Sequence, residues 1–141
     1  MANRISDPYL DTDIIIRFLT SDDLKKQHAV ARLFEKVVDG KIILKAPATV
    51  IADAVYVLSS SRLYDLPRTT VRDVLISFLR PANFKITNKQ ALVSTLDLWE
   101  TTHLDFGDAF LICLTRQSDE KTLYSFDQDF DRYKDIKRLE P

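Results

Sequence analysis

Glycine is almost missing from this chain: Gly40 and Gly107 are the only two in 141 residues. Loops that wrap phosphate groups with backbone N–H groups need glycine at several fixed positions, so neither a G-x-G-x-x-G turn nor a P-loop is present. Nucleotide-binding α/β folds built on those loops are thereby set aside. Cysteine is scarcer still. The single Cys113 lies inside the apolar run Ala109-Phe-Leu-Ile-Cys-Leu114, which rules out a disulfide within the chain. A lone thiol there suits a reducing compartment and a packing role. The two histidines, His28 and His103, are far apart and have no second Cys or His beside them; a structural zinc site is not expected. No stretch approaches the roughly 18–20 apolar residues of a membrane span. The opening residues, Met1 to Pro8, lack the apolar centre of a secretory signal, so the expectation is a cytoplasmic protein with no membrane association. The formal net charge is −1, which argues against both a polybasic nucleic-acid arm and an acidic tail.

What the chain does have is an ordinary hydrophobic fraction, 45%, enough for a soluble globular core. A chain of this length buries roughly two-thirds of its unfolded surface, and a single domain over residues 1–141 is expected. The acids are skewed: 17 are Asp and 4 are Glu. Asp favours caps, turns and compact oxygen sites for hard cations.

Pro8-Tyr-Leu10 reads as a short strand ending on the polar residues Asp11-Thr-Asp13. Ile14 to Leu19 is a short helical or extended piece. Ser21 or Asp22 is placed to cap a helix running to about Val38, which Asp39-Gly40 ends. Ile42 to Leu44 reads as a buried strand, and Pro47 to about Ser60 as a helix with Pro near its start. Over Arg68 to Leu79 the apolar residues Val71, Val74, Leu75, Phe78 and Leu79 fall on one helical face, and Pro81 stops the element. Phe84 to Ile86 is a third strand candidate. Asn88 is placed to cap a helix carrying Ala91, Leu92, Thr95, Leu96 and Trp99. A further helix covers Asp105 to about Gln117. Thr122 to Ser125 is a strand, Asp127 to Tyr133 a polar turn-rich piece, and Ile136 to Leu139 a last edge strand. Strands alternating with helices imply an α/β fold, with a parallel sheet covered on both faces.

In such a sheet, ligands bind beyond the carboxyl ends of the strands, where Asp11 and Asp127 are expected. Each also has a plain structural reading, as a helix cap or a turn starter. Asp53 lies in Val50-Ile-Ala-Asp-Ala-Val-Tyr-Val-Leu58, a nearly unbroken apolar helix. An uncompensated buried carboxylate is very costly, and no basic residue sits three or four positions away to pair with it. Asp105 and Asp108 open the next acidic helix, where they would form something like a capping box. Gathered carboxylates repel one another unless a divalent cation neutralises them. Ligand sets made only of oxygen select Mg²⁺ or Mn²⁺ over zinc, and those ions suit phosphodiester hydrolysis. A calcium loop beginning at Asp127 fails at its sixth and twelfth positions, where Arg132 and Arg138 stand for the required Gly and Glu.

Four segments carry a resemblance. Tyr9-Leu-Asp-Thr-Asp13, Thr49-Val-Ile-Ala-Asp-Ala-Val-Tyr-Val-Leu58, Asp105-Phe-Gly-Asp-Ala-Phe-Leu-Ile112 and Leu123-Tyr-Ser-Phe-Asp-Gln-Asp-Phe130 resemble, in order and spacing, the acidic motifs of PIN-domain proteins. The size is similar to that of the ribonuclease toxins of VapBC-type toxin–antitoxin pairs. The resemblance implies a three-layer α/β/α PIN-like fold with a central parallel sheet, and a Mg²⁺- or Mn²⁺-dependent endoribonuclease acting on RNA. It also implies a homodimer and a VapB-like antitoxin partner. Carried over position by position, the catalytic and metal-binding acids would be Asp11, Asp53, Asp108 and Asp127. Ser125, Asp129 and Asp13 would support the site or the substrate. Asp11, Asp108 and Asp127 would hold one ion, and Asp53 a second ion or the attacking water, leaving 5′-phosphate and 3′-hydroxyl ends.

Two positions depart from the family pattern. Asp53 replaces the usual Glu and is one methylene shorter; Asp13 replaces a frequent Asn and adds a charge. The first departure keeps open a PIN-fold binding module with impaired catalysis. A signalling receiver domain, the other α/β fold with an acidic Mg²⁺ pocket, lacks its phosphoacceptor Asp in Ile42-Ile-Leu-Lys-Ala-Pro47. Arg17, Arg62, Arg68, Arg80 and Arg116 are candidate phosphate contacts. Phe18 and Leu19, or the face along Arg68 to Leu79, are candidates for a dimer interface.

Overall fold

Six α-helices and four three-residue strands alternate along residues 7–141, the part of the chain that this computed structural model describes. The helices are α1 (Thr12–Leu19), α2 (Leu24–Val38), α3 (Ala48–Ser59), α4 (Arg68–Leu79), α5 (Lys89–Thr101) and α6 (Phe106–Gln117). The strands are β1 (Leu44–Ala46), β2 (Phe84–Ile86), β3 (Thr122–Tyr124) and β4 (Lys137–Leu139). Two compact units divide the chain, one ending at Lys89 and the other running Gln90–Pro141.

In the first unit α1 packs on α2 and α3, and α3 on α4. The core gathers four rings: Phe34 and Phe78 have centroids 4.2 Å apart, Phe78 and Phe84 5.0 Å, and Phe18 and Phe34 5.1 Å. Strands β1 and β2 pair in parallel, with Leu44 opposite Phe84, Lys45 opposite Lys85 and Ala46 opposite Ile86. The strand expected at Pro8 to Leu10 is a single parallel bridge between Tyr9 and Lys45. The Leu10 N–H donates to the Lys45 carbonyl, and the Lys45 N–H to the Pro8 carbonyl, both at 2.9 Å. The strand expected at Ile42 to Leu44 lies two residues later. There Leu44 and Ala46 are buried and the Leu44 N–H reaches the Asn83 carbonyl at 3.0 Å.

Two expected caps are corrected. Asp23, not Ser21 or Asp22, caps α2, its carboxylate accepting from the Lys26 N–H at 3.0 Å. Asp22 instead accepts a short hydrogen bond from the Tyr64 hydroxyl, which raises the Tyr64 pKa above its ordinary value. Asn88 has φ +61°, the left-handed geometry that Asn tolerates, rather than the extended geometry of a cap.

The second unit is built on α6. Ile112, Leu123, Phe130 and Ile136 form its buried cluster, with Leu98, Leu104 and Tyr133 packed against it. Strands β3 and β4 pair in parallel, Leu123 opposite Arg138. Between them the turn-rich piece is a 3₁₀ helix, Gln128–Arg132.

The expected parallel pairing and βα alternation are present, as two separate strand pairs. Coverage on both faces is not. In the first unit Leu10, Leu44, Ala46 and Phe84 are buried. Tyr9, bridged to Lys45, is 70% exposed, Lys45 is half-buried and Lys85 exposed. In β3, buried Leu123 lies between exposed Thr122 and Tyr124. These strands alternate, as strands open on one side do; strands covered on both sides are apolar throughout.

Candidate active-site acids

In the first unit, Asp11 is the N-cap of α1, with extended backbone (φ −95°, ψ 161°) and a carboxylate oxygen accepting from the Thr12 N–H at 2.7 Å. Its capping role is therefore real, and it engages one of the two oxygens. Asp13 lies in the first turn of the same helix and is exposed, where the helix dipole favours a carboxylate. Asp53 overturns an expectation. The apolar side of α3 is formed by Val50, Ile51, Ala54, Val55 and Leu58. Asp53 falls on the opposite, exposed side with Thr49 and Tyr56. These three are spaced i, i+4, i+7, a solvent stripe within a helix otherwise rich in alanine and valine. Its carboxylate needs no buried partner. Asp53→Ala is accordingly expected to change unfolding free energy by no more than about 0.5 kcal/mol, as at ordinary surface positions. Urea denaturation checks this, and a loss of several kcal/mol would restore the buried reading.

In the second unit the acids interact. Asp105 is the N-cap residue of α6 by backbone geometry, but its side chain makes no capping hydrogen bond. The expected capping box with Asp108 is therefore not formed, and both carboxylates are released from that role. Asp108 sits in the first turn of α6, half-buried. Burial raises its pKa above the ordinary carboxylate range, and Asp105, Asp127 and Asp129 push it further in the same direction. Asp127 caps the 3₁₀ helix, accepting from the Asp129 N–H at 2.9 Å, and its own N–H donates to Ser125 Oγ at 3.0 Å. Ser125 thus fixes the turn that presents Asp127, as its position two residues upstream suggests. Asp129 is exposed on that turn.

Arg138 is a positioning residue that the motifs did not reveal. Its guanidinium binds Asp131 through two hydrogen bonds, at 3.0 and 3.1 Å. It also donates to the Ser125 carbonyl at 2.9 Å and to Glu140 at 2.7 Å. The forked donor geometry suits such a clamp, and it holds the 3₁₀ helix to the end of β3. The pairing lowers the Asp131 pKa and ties up an acid that a calcium loop would need. Arg116, offered as a phosphate contact, is instead paired with Asp135 at 2.7 and 3.3 Å.

The donors are all hard oxygens, and around Asp108 they are acids whose mutual repulsion a divalent cation relieves. That donor chemistry fits Mg²⁺ or Mn²⁺. Among the described residues no group of three or more His, Cys, Asp or Glu side chains is already drawn together to hold a metal ion. No helix among them is long and apolar enough to cross a membrane.

The chain matches the PIN domain over residues 9–136. It belongs to the PIN domain family, an α/β family whose members are generally nucleases that use divalent metal ions. A search of curated proteins finds no match.

Proposed function

We propose that this chain is a Mg²⁺- or Mn²⁺-dependent endoribonuclease that hydrolyses phosphodiester bonds of single-stranded or structured RNA. The observation that carries the reading is the match to a nuclease family along nearly the whole chain, and the charges of Asp105, Asp127 and Asp129 acting on Asp108 support it. Asp11, Asp53, Asp108 and Asp127 are assigned as the metal-binding acids, with Ser125, Asp129 and Asp13 in support. The two units are taken together as one PIN-like α/β domain. When bound, the metal supplies a water of lowered pKa and positive charge for the phosphate. The protein's part is to hold oxygen donors ready. The Ser125 hydroxyl and the Arg138 clamp fix the Asp127 turn. The α6 N-terminus presents Asp105 and Asp108, whose carboxylates carry no capping bond.

The biological setting proposed is that of a toxin acting in the cytoplasm, restrained by a VapB-like antitoxin. The homodimer belongs to the same proposal. It is supported by an apolar groove of about 390 Å³ in the first unit that includes Phe18, Leu19, Val74 and Phe78. A second reading, a PIN-fold module that binds RNA or protein without cutting, is favoured by Asp53, which is both short and turned to solvent.

Cleavage of an end-labelled single-stranded RNA with Mn²⁺, Mg²⁺ or EDTA decides between them. Metal-dependent cleavage that EDTA stops, and that Asp11→Asn and Asp108→Asn each abolish, is the expected result. Intact RNA across several sequences, with no metal binding detected by calorimetry, would leave the binding module.

A further inference from the structure

On the open face of the β1–β2 pair lies a groove of about 610 Å³ whose lining includes Tyr9, Lys45, Arg80, Lys85 and Lys89. No acidic residue is among the described residues that line it. All five belong to the first unit. The bridge and ladder set Tyr9, Lys45 and Lys85 in one row across three chain segments. Lys45 Nζ lies 4.6 Å from the centre of the Tyr9 ring, which nevertheless remains 70% exposed. Lys89 is held in place, donating to the Pro81 carbonyl at 2.9 Å with its ammonium 5.7 Å from the centre of the Phe84 ring. Its pKa is lowered by burial and then by the nearby charge of Lys85.

A plain account exists for part of this. Lysine on an exposed strand discourages edge pairing with another chain, and that covers Lys85. It does not explain why Lys45, Lys89 and Arg80 converge on the same concavity without a counter-charge, beside an open aromatic ring. Like charges gathered in this way destabilise the free protein and are relieved by a polyanion. An aromatic platform bordering a cationic groove is the arrangement that accepts single-stranded nucleic acid, bases stacking on rings while cations follow the backbone. A purely acidic peptide would use the cations and leave Tyr9 without a role.

We propose that this groove binds the sugar–phosphate backbone of single-stranded RNA, with a base stacked on Tyr9. The inference rests on the ribonuclease reading and extends it. Tyr9 stands two residues before Asp11, so RNA lying in the groove is led toward the first acidic motif.

The test measures binding of a fluorescein-labelled oligouridylate to the full chain by anisotropy, in EDTA to prevent cleavage, across a salt series. The double variant Arg80→Gln/Lys85→Gln is expected to bind about tenfold more weakly at low salt. Its log–log salt slope should be shallower by about 1.4, about 0.7 for each lost phosphate contact on a single strand. Tyr9→Leu is expected to lose about tenfold in affinity, the worth of one stacked base, with its slope unchanged, and Tyr9→Phe to recover it. Lys25→Gln, on the exposed side of α2, is expected to bind as the wild type does. Equal binding by all variants, equal weakening by Lys25→Gln, or stronger competition by polyglutamate than by unlabelled RNA would each overturn the proposal. The two readings fail separately. Variants that still bind and cleave as wild type sink the groove and spare the nuclease. Wild-type binding that the groove variants lose, without metal-dependent cleavage, spares the groove and sinks the nuclease.

Discussion

Replacing Asp108 with Asn is expected to lower metal-dependent RNA cleavage by about 10³-fold, while making the folded protein more stable. The activity loss follows from the proposed role: removing a charged oxygen donor forfeits several kcal/mol of metal-supplied stabilisation in the transition state, and about 4 kcal/mol corresponds to 10³. The gain in stability follows from the electrostatics. Burial, and then the charges of Asp105, Asp127 and Asp129, hold the Asp108 pKa above its ordinary value. A carboxylic acid whose pKa rises on folding binds its proton more tightly in the folded state. Its ionisation therefore penalises folding once the pH passes above the raised value, and the penalty fades as the pH falls below about 4. Asn removes it. Because Asp108 is only half-buried, solvent screening limits the gain to about 0.5 kcal/mol, or about 2 °C in the thermal midpoint. Thermal melts at neutral and acidic pH should show the gain at neutral pH alone. Added Mg²⁺ should raise the wild-type midpoint and leave that of the variant nearly unchanged, since only a ligand that binds the folded state shifts the midpoint. A variant less stable than wild type at neutral pH would show Asp108 to be a structural partner instead.

Some elements of the fold are legible in the sequence, and others are not. Helices were legible because amphipathic spacing is local: α4 begins at Arg68 and ends at Leu79, as its apolar face requires. Strands of three residues carry too little pattern to fix their ends, which is why β1 lies two residues beyond its expected position. Caps failed where neighbouring residues were chemically equivalent. Ser21, Asp22 and Asp23 are all good caps, and the choice is made by Tyr64, which engages Asp22 from 42 residues away.

Asp53 was misread for a related reason. Its helix is so rich in apolar residues that the narrow exposed stripe of Thr49, Asp53 and Tyr56 is not evident until the helix is packed. Asp105 and Asp108 satisfied a local capping rule that the side chains do not follow. Arg138 enters the sequence reading only as the residue that spoils a calcium loop; its clamp is not legible, since nothing in its neighbourhood of sequence points to the Ser125 carbonyl 13 residues before it. The basic groove is likewise a product of register. Tyr9, Lys45 and Lys85 are about 40 residues apart in pairs and meet only through parallel pairing.

The same non-local logic makes the aromatic core the place where a single substitution should reach furthest. Phe78→Ala is expected to destabilise the protein by about 3–5 kcal/mol, the usual cost of emptying a buried aromatic site. Phe78 is 3% exposed, and its ring meets Phe34 at 4.2 Å, Phe84 at 5.0 Å and Phe18 at 5.9 Å between centroids. Those partners bring together four elements: Phe18 on α1, Phe34 on α2, Phe78 on α4 and Phe84 on β2. The ring also borders the apolar groove beside Val74, and partial collapse there would bring the cost toward the lower end of the range. Total stabilities of domains lie at about 5–15 kcal/mol, so the variant is expected to populate unfolded chains at physiological temperature. Since α1 carries Asp11 at its cap and β2 carries Lys85, loosening the core should weaken RNA binding as well as stability, although Phe78 is not part of the basic groove. Phe78→Leu, which fills part of the space, should restore much of both. Urea denaturation with an unchanged m-value, read beside oligouridylate binding, makes the comparison. A loss below about 1 kcal/mol for Phe78→Ala would mean that the rings are not tightly packed, and that α1 and β2 are positioned by their backbone hydrogen bonds alone.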